Sequence, residues 1–385
     1  MGATMPTIKN LADEEIEWEE HALHWAHELS KSRRDRKRRE RNPNPLILCG
    51  HGASLRIDGG SLLVRNGFTH HPQSQEIWRF FRGSLDLPTR IIIVDGSGTL
   101  SFDVLSWLGE QNVSLIRIDW RGKVAMAMAG YGFAADKEKV AWQIATRANE
   151  AKRVAFSTEL MRQKIAAGIA TIEQALPASK RRDLVVLKLR GDLQQLVTTP
   201  RDVKVLRGIE ARAGAAYFSA WHGTPLRWGA SRHSIPDEWR EIGPRSALRV
   251  GKIAKNERAT HPLNALLNYG YAVLQSRLQI DAVAQGYDPT LGIMHHSYQG
   301  SPAYIFDLME PERAEIDRCV LALALTERLS RADFILTPDG TCRVAPSLAR
   351  FLVQRIASLL DTVDTAGRIQ RNGDGYPITS VRGAA

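Results

Sequence analysis

The hydrophobic pattern of this 385-residue chain changes character once, near residue 130. Upstream, the apolar residues fall in short β-rich runs: Leu46–Cys49, Ser54–Ile57, Ser61–Val64, Ile91–Val94, Val113–Asp119 and Val124–Met128. Gly59-Gly60 and Asn66-Gly67 are hairpin turn signals, and Arg121-Gly122 joins the last two runs. Between residues 46 and 128 only Ser101–Gln111 interrupts the pattern, its Phe102, Leu105 and Leu108 forming a helical stripe, and the acidic amphipathic stretch that opens residues 1–42 is read as a further helix. Downstream the spacing becomes helical over Asp136–Glu150, Val154–Ala167, Thr171–Leu176, Pro200–Trp221, Pro262–Gln285, Pro302–Met309, Glu312–Leu329 and Pro346–Leu360. Thr199-Pro200 and Ser301-Pro302 pair a capping residue with proline, as at many helix starts. A pattern of period two cannot bury its apolar face as a helix, nor one of period 3.6 as a strand. The expectation is an α+β chain, with a small, largely β domain at 46–128 followed by a larger all-α domain at 129–365. A charged extension at 1–45 closes in Asn42-Pro43-Asn44-Pro45, and the glycine-rich residues 366–385 read as a flexible tail.

Composition narrows the class. An apolar content of 43% excludes wholesale disorder, and no apolar run approaches the roughly 20 residues of a membrane span. The N-terminus is acidic and lacks the apolar core of a secretory signal, so a cytoplasmic protein without a membrane partner is expected. Cys49, Cys319 and Cys342 are odd in number and widely spaced, which favours neither a disulfide framework nor a structural zinc site. Net charge is +10, and residues 1–42 carry equal numbers of basic and acidic groups, so the whole excess lies on residues 43–385. A basic body suits a polyanion, most often nucleic acid.

Three local features invite chemistry and are read more plainly. His21, His24 and His27 recur every three residues, a spacing that drifts around a helix, so they are read as a solvated face. The basic run from Lys31 to Arg41 has acids interspersed and no aromatic residues, which fits an exposed helix or linker. Asp95-Gly96-Ser97-Gly98 lacks both the third glycine of a dinucleotide fingerprint and the lysine of a P-loop, and is read as a turn.

Three others are harder to dismiss together. Glu210 lies inside the apolar stripe Leu206, Ile209, Ala213, Ala216, Tyr217, where a carboxylate is costly unless paired, protonated or bound to a cation. Taken alone it would pair with Arg207 or Arg212. Gly286–His296 runs through a turn at Asp288-Pro289 and a short apolar run that delivers His295. Asp307 and Glu310 are three residues apart on a helix, so both could face one cation. Pro311 is expected to end or kink that helix, leaving Glu310 at its negative end, where an unpaired anion is disfavoured.

The strings Leu206-Arg207-Gly208-Ile209-Glu210 with Ala215-Ala216-Tyr217-Phe218, His261 through Tyr271, Gly286 through His295, and Asp307-Leu308-Met309-Glu310 with Asp317-Arg318 occur in one order and spacing. Together they closely resemble the CRISPR-associated spacer-acquisition integrases, metal-dependent endonucleases of the adaptation machinery, over roughly Leu46 to Phe351. The resemblance implies a β domain serving dimerisation, a helical catalytic domain, and Mg²⁺ or Mn²⁺ held by Glu210, His295 and Glu310, with Asp307 as a ligand or support. Glu210, His295 and Glu310 are then the catalytic residues. It further implies a homodimer acting on branched or double-stranded DNA, largely through the backbone, and a small adaptation partner protein bridging two dimers. Insertion of short DNA segments into a CRISPR array by phosphodiester transesterification is the implied reaction. Arg249, Lys252, Lys255 and Arg258 are candidate phosphate contacts. The chain departs from the pattern at Ala211, at His261 where an acid is usual, and at Pro311. Rival readings are a transposon-encoded integrase of the same fold and a DNA-binding scaffold without chemistry. Residues 1–42 have no counterpart in the resemblance, and Met1–Asn44 are expected to be dispensable for catalysis.

Overall fold

The computed structural model describes residues 8–36, 39–69, 74–128, 136–198, 202–229, 231–243, 247–250, 253–296, 301–364, 369–371 and 377–379. Among these, α1 (Ile8–Lys31) precedes a sheet built from β1 (Leu46–Asp58), β2 (Ser61–Arg65), β3 (Ile77–Phe80), β4 (Arg90–Leu100), β5 (Ser114–Ile118) and β6 (Val124–Met128), with α2 (Phe102–Glu110) between β4 and β5. A mostly helical region follows: α3 (Lys137–Ala148), α4 (Glu150–Ala175), α5 (Lys180–Thr198), α6 (Val203–Ser219), α7 (Pro262–Ala284), α8 (Ala303–Thr326) and α9 (Pro346–Asp364). The α+β division expected from the period change is present. Small two-stranded ladders decorate the helical part: β7 (Ala247–Val250) with β8 (Ile253–Ala259), and β9 (Phe334–Leu336) with β10 (Cys342–Val344). In the C-terminal stretch, β11 (Ile369–Arg371) pairs with β12 (Pro377–Thr379).

The sheet runs β3-β2-β1-β4-β5-β6, parallel at β1/β4 and β4/β5 and antiparallel elsewhere. Its strand period sorts side chains onto two buried faces. Leu46, Leu48, Ile91 and Leu115 face one way, toward Val104, Trp107 and Leu108 of α2. Ile47, Ile92, Val94, Ile116 and Ile118 face the other and merge with the core of the helical lobe. The sheet therefore has no solvated face at its centre, and α7 and α9 pack directly on it. Gly122 in the β5–β6 turn is so close to α7 that a Cβ there would lie 2.5 Å from the Asn268 backbone.

Several expectations need correcting. The two runs Leu46–Cys49 and Ser54–Ile57 are one strand, because β4 pairs along both. Asp95–Gly98 is not a turn but part of β4: Gly96, Ser97 and Gly98 pair with Gly50, His51 and Ala53 across two register shifts. A Cβ at Gly98 would meet the Ala53 carbonyl oxygen, so glycine permits this close approach of strands. Gly59-Gly60 makes the expected tight hairpin with positive φ at both residues. Asn66-Gly67 makes none; the Asn66 side chain is buried, accepts from the Cys49 backbone N–H and donates to Glu76. Val154–Ala167 and Thr171–Leu176 merge into α4, and Pro302–Met309 and Glu312–Leu329 merge into α8. Helix α5 was not anticipated; Val185, Leu189 and Leu196 make its buried stripe, while Leu184, Leu187 and Val197 stay exposed and blur the pattern. Pro200 lies outside the described residues, and α6 starts instead at Asp202, whose carboxylate accepts from the Val205 N–H at 2.8 Å.

The N-terminal helix is part of the helical lobe. α1 lies along α9, with Trp25 fully buried, stacked against Phe351 and donating to Asp333 at 2.6 Å. Glu17 is buried and accepts from Ser231, Ser330 and the Arg232 N–H. Of the histidine stripe, His21 is not solvated: its Nδ1 is 3.2 Å from Asp333. The basic run is not all exposed either, since Arg41 donates to the carbonyls of Leu87, Pro88 and Gln111. Truncating Trp25 to alanine is expected to cost about 3–5 kcal/mol by denaturant unfolding, through lost burial and cavity formation. Burial alone would lower the His21 pKa, but the hydrogen bond and charge of Asp333, with Glu17 and Glu20, raise it. Its contribution is therefore complete below the unfolded value of about 6.5 and fades as pH climbs through the raised folded value. His21→Ala should cost more stability at pH 5.5 than at pH 9; an equal cost at both would refute the pairing.

Candidate metal centre

Two helices and one loop supply the candidate ligands. α6 presents Glu210 from its buried stripe of Leu206, Ile209, Ala213 and Ala216. α8 presents Glu310, and the loop following α7 presents His295. One ligand atom from each of Glu210, His295 and Glu310 lies within 4.8 Å of the others. Octahedral ligands on a small divalent ion with bonds of about 2.1 Å sit about 3 Å apart in cis and about 4 Å in trans, so slight closure would let the three share one ion.

Asp307 takes the supporting role. Its fully buried carboxylate accepts from the backbone N–H groups of Ile293 (2.6 Å), Met294 (3.1 Å) and His295 (2.9 Å), and from His295 Nδ1 at 2.7 Å. With both oxygens engaged, Asp307 lies outside the cluster of three, which matches the support rather than the ligand alternative, although it shares a helix with Glu310. The hydrogen bond fixes the Nδ1–H tautomer and leaves the Nε2 lone pair available to a cation, the carboxylate–histidine arrangement common behind metal ligands. Burial would lower the His295 pKa, but the bond and charge of Asp307, then Glu310 and Glu210, raise it.

Pro311 does not end the helix. α8 continues through it to Thr326, clamped between α4 and α7, so tertiary packing outweighs the lost backbone bond. Glu310 thus lies mid-helix, away from the negative end of the dipole. The compensating charges are side chains instead. Lys164 of α4 lies between the two glutamates, its Nζ 2.9 Å from Glu210 and 2.6 Å from Glu310, and Arg313 Nε is 3.4 Å from Glu310. Burial would raise the Glu310 pKa, yet Arg313 and Lys164 hold it below the usual carboxylate range. Glu210 pairs with neither Arg207 nor Arg212; Arg212 binds Asp192 at 2.8 Å.

Lys164 was missed from sequence, though its signal resembles that of Glu210: a charge within the apolar stripe of Leu160, Met161, Ile165 and Gly168. Behind the carboxylates lies a cavity of about 270 Å³, reached by Lys164, Glu210, Glu310, Arg313 and Tyr217. The hydroxyls of Tyr217 and Tyr271 both donate to Asp317, at 2.8 and 2.5 Å, tying α6 and α7 to α8 and fixing the register of the two glutamates. His261 caps α7: Nδ1 accepts from the Leu263 N–H and Nε2 donates to the Glu241 carbonyl, a structural use of this position. Of the candidate phosphate contacts, Arg258 lies 3.6 Å from Asp339. Lys252 lies outside the described residues, as do the side chains of Arg249 on β7 and Lys255 on β8.

A sheet unit joined to a helical lobe that gathers two glutamates, a histidine and a buried supporting aspartate defines a class of two-part proteins with a candidate cation site. The chain belongs to the CRISPR-associated protein Cas1 family, whose model matches residues 46–357. It is 24% identical over 350 residues to the CRISPR-associated endonuclease Cas1 1 of Archaeoglobus fulgidus, covering 87% of this chain and 92% of that one. A shorter stretch of 133 residues is 41% identical to a Cas1 endonuclease of Pyrobaculum aerophilum, covering 34% of this chain and 36% of that one. Among solved structures the same fold occurs in a casposase bound to an integration product (TM-score 0.64, 21% identity, 87% and 86% of the two chains). It also occurs in a Cas1 protein from Thermotoga maritima (TM-score 0.61, 14% identity, 84% and 94%). No described helix is long and apolar enough to cross a membrane.

Two outcomes test the geometry. Asp307→Asn replaces an acceptor-only group with one that carries donors against the loop N–H groups, and is expected to weaken Mn²⁺ binding by about 10- to 100-fold in calorimetry. Lys164→Met leaves two carboxylates facing each other and should destabilise the metal-free protein by about 3–5 kcal/mol. Mn²⁺ should then raise its melting temperature more than that of the unaltered protein.

Proposed function

We propose that this chain is a divalent-metal-dependent DNA endonuclease and integrase that inserts short DNA segments into a CRISPR array by phosphodiester transesterification. The observation that carries the reading is the convergence of Glu210, His295 and Glu310 in a member of the Cas1 family. The donor set fits the ion: one imidazole nitrogen with two carboxylates suits Mg²⁺ or Mn²⁺, and the Lys164 ammonium between the glutamates marks a place where positive charge is favoured. A divalent ion held there supplies Lewis-acid stabilisation of charge developing at a phosphoryl centre.

The protein's own residues then have positioning work to do. Glu210 and Glu310 would hold the ion from α6 and α8, and His295 would join them through the ring nitrogen that Asp307 leaves free. Asp307 keeps the imidazole in the right tautomer and anchors its loop through three backbone bonds. The Asp317–tyrosine bonds keep the two acid-bearing helices from sliding. In integration a DNA 3′-hydroxyl attacks a target phosphodiester, the new P–O bond forming as the bond to the target strand's 3′-oxygen breaks and that strand leaves with a 3′-hydroxyl; water in the same position performs hydrolysis. Arg249, Lys252 and Lys255 are proposed backbone-phosphate contacts, which position without reading sequence.

For assembly we propose that residues 46–128 form the dimerisation unit and 129–365 the catalytic domain. Exposed Phe81, Leu100 and Phe102 on the β unit support such an apolar contact. A solved neighbour of the same fold is a Cas6-RT-Cas1–Cas2 complex, which supports a small adaptation partner, and we propose that this partner bridges two dimers. The casposase neighbour makes transposon-end integration the second reading. The test supplies Mn²⁺ or Mg²⁺ with DNA bearing a free 3′-hydroxyl, and either repeat-containing or element-end targets. Strand transfer into repeat targets is expected, reduced by at least about 100-fold in Glu210→Gln and on chelation of the ion. Preference for element ends would favour the second reading, and full activity of the variant would remove the site assignment.

A further inference from the structure

Immediately beside His295 lies a group of positive side chains that the proposed metal centre leaves unused. His296 is exposed, and both of its ring nitrogens face guanidinium donors: Nδ1 is 2.8 Å from Arg147 Nη2 and Nε2 is 3.2 Å from Arg153 Nη2. Exposed Arg207 of α6 adds its charge to the same spot. These groups come from the last turn of α3, the first turn of α4, α6 and the loop that carries His295. Among the described residues none of the three arginines has a carboxylate partner. Glu150, the acid nearest in sequence, points instead to the start of α6, where it accepts from the Val203 N–H.

The donor count is unbalanced. A neutral imidazole has one lone pair and one N–H, so it accepts from only one guanidinium, while its N–H meets donors of the other. A guanidinium does not relieve this by losing a proton. An oxyanion does, because each of its oxygens accepts several hydrogen bonds and its charge answers the convergent cations. The arginines are also pre-positioned: Arg147 Nη1 donates to the Gly292 carbonyl at 3.0 Å and Arg153 Nε to the Ile293 carbonyl at 2.8 Å. These bonds anchor the two guanidiniums to the same loop whose N–H groups Asp307 holds.

We propose that Arg147, Arg153, Arg207 and His296 form a phosphate clamp that seats a backbone phosphodiester of the DNA strand approaching the metal centre, next to the phosphate that reacts. This rests on the DNA-integrase reading and adds a named substrate contact to it. The clamp and the metal ligands share one loop, so the clamped phosphate sets where the strand lies relative to the ion.

The test measures binding of a labelled branched duplex in EDTA, across a range of salt concentrations, for Arg207→Gln, His296→Ala, Arg147→Gln and the unaltered protein. Among the described residues Arg207 makes no hydrogen bond that its replacement would break, and His296→Ala keeps both loop anchors, so these two variants should fold normally. Each arginine variant is expected to weaken binding several-fold whatever the DNA sequence. The slope of log affinity against log salt should fall by about 1 for each phosphate that is no longer neutralised. Arg190→Gln, on the exposed pair of Arg190 (α5) with Glu173 (α4), is the control and should change neither quantity. Unchanged affinity and slope in Arg207→Gln and His296→Ala would overturn the clamp, even if inorganic phosphate stabilised the protein in a melting assay. That outcome would indicate a free-anion site only. Absence of metal-dependent strand transfer by the unaltered protein would instead overturn the integrase reading, whatever the salt slopes.

Discussion

The candidate site depends on one buried carboxylate. Asp307 has no exposed surface and, among the described residues, no lysine or arginine against it; its charge is met by four N–H donors from residues 293–295. Such charge-assisted bonds are about twice as strong as neutral ones and are directional. They force a short loop to fold around one point of α8. The same turn of helix that carries Asp307 carries Glu310, so the histidine and the glutamate are placed by a common support. Removing that acceptor would release the loop and disturb the arginines anchored to its carbonyls as well.

A second constraint joins the lobes into one body. The central strands bury both faces, one under α2 and the other under the helices of the helical lobe. Arg90 of β4 and Arg277 of α7 share Asp361 of α9, at 2.5 and 2.8 Å, and Arg343 of β10 pairs with Asp95 of β4. Buried pairs of this kind contribute little net stability but are costly to break, so they resist sliding between sheet and helices. The acid-bearing helices are held similarly, by Asp317 between two tyrosines. Rigidity here serves position: a metal cluster drawn from distant segments is only as precise as the packing beneath it.

Much of this was legible in the chain itself. Glu210 and His295 stood out because a charge in an apolar stripe, or a histidine ending an apolar run, needs an explanation, and family likeness joined them to Glu310. Lys164 carried the same signal on α4 and was overlooked, because a lysine at the edge of a stripe commonly reaches solvent along its stem. Other features lay beyond local reading. Whether Asp307 faces the ion or the loop depends on a partner segment twelve to fourteen residues away. Whether Pro311 breaks α8 depends on the helices either side of it, which the pattern around residue 311 does not contain. Asp95–Gly98 looked like a turn because glycine serves turns and close strand crossings equally.

The amino-acid order by itself determined the division into a sheet unit and a helical lobe, because the hydrophobic period is a local property that neighbours cannot overrule over long stretches. It also determined the kinds of donor available: two glutamates, a histidine and an aspartate in a body with excess positive charge. Only the tertiary structure decided which carboxylates join the cluster and which one holds the histidine loop, that an ammonium lies between the glutamates, that α1 belongs to the helical core, and that Arg147 and Arg153 converge on His296. Those outcomes are set by distances between residues far apart along the chain, and such distances exist only once the helices have packed.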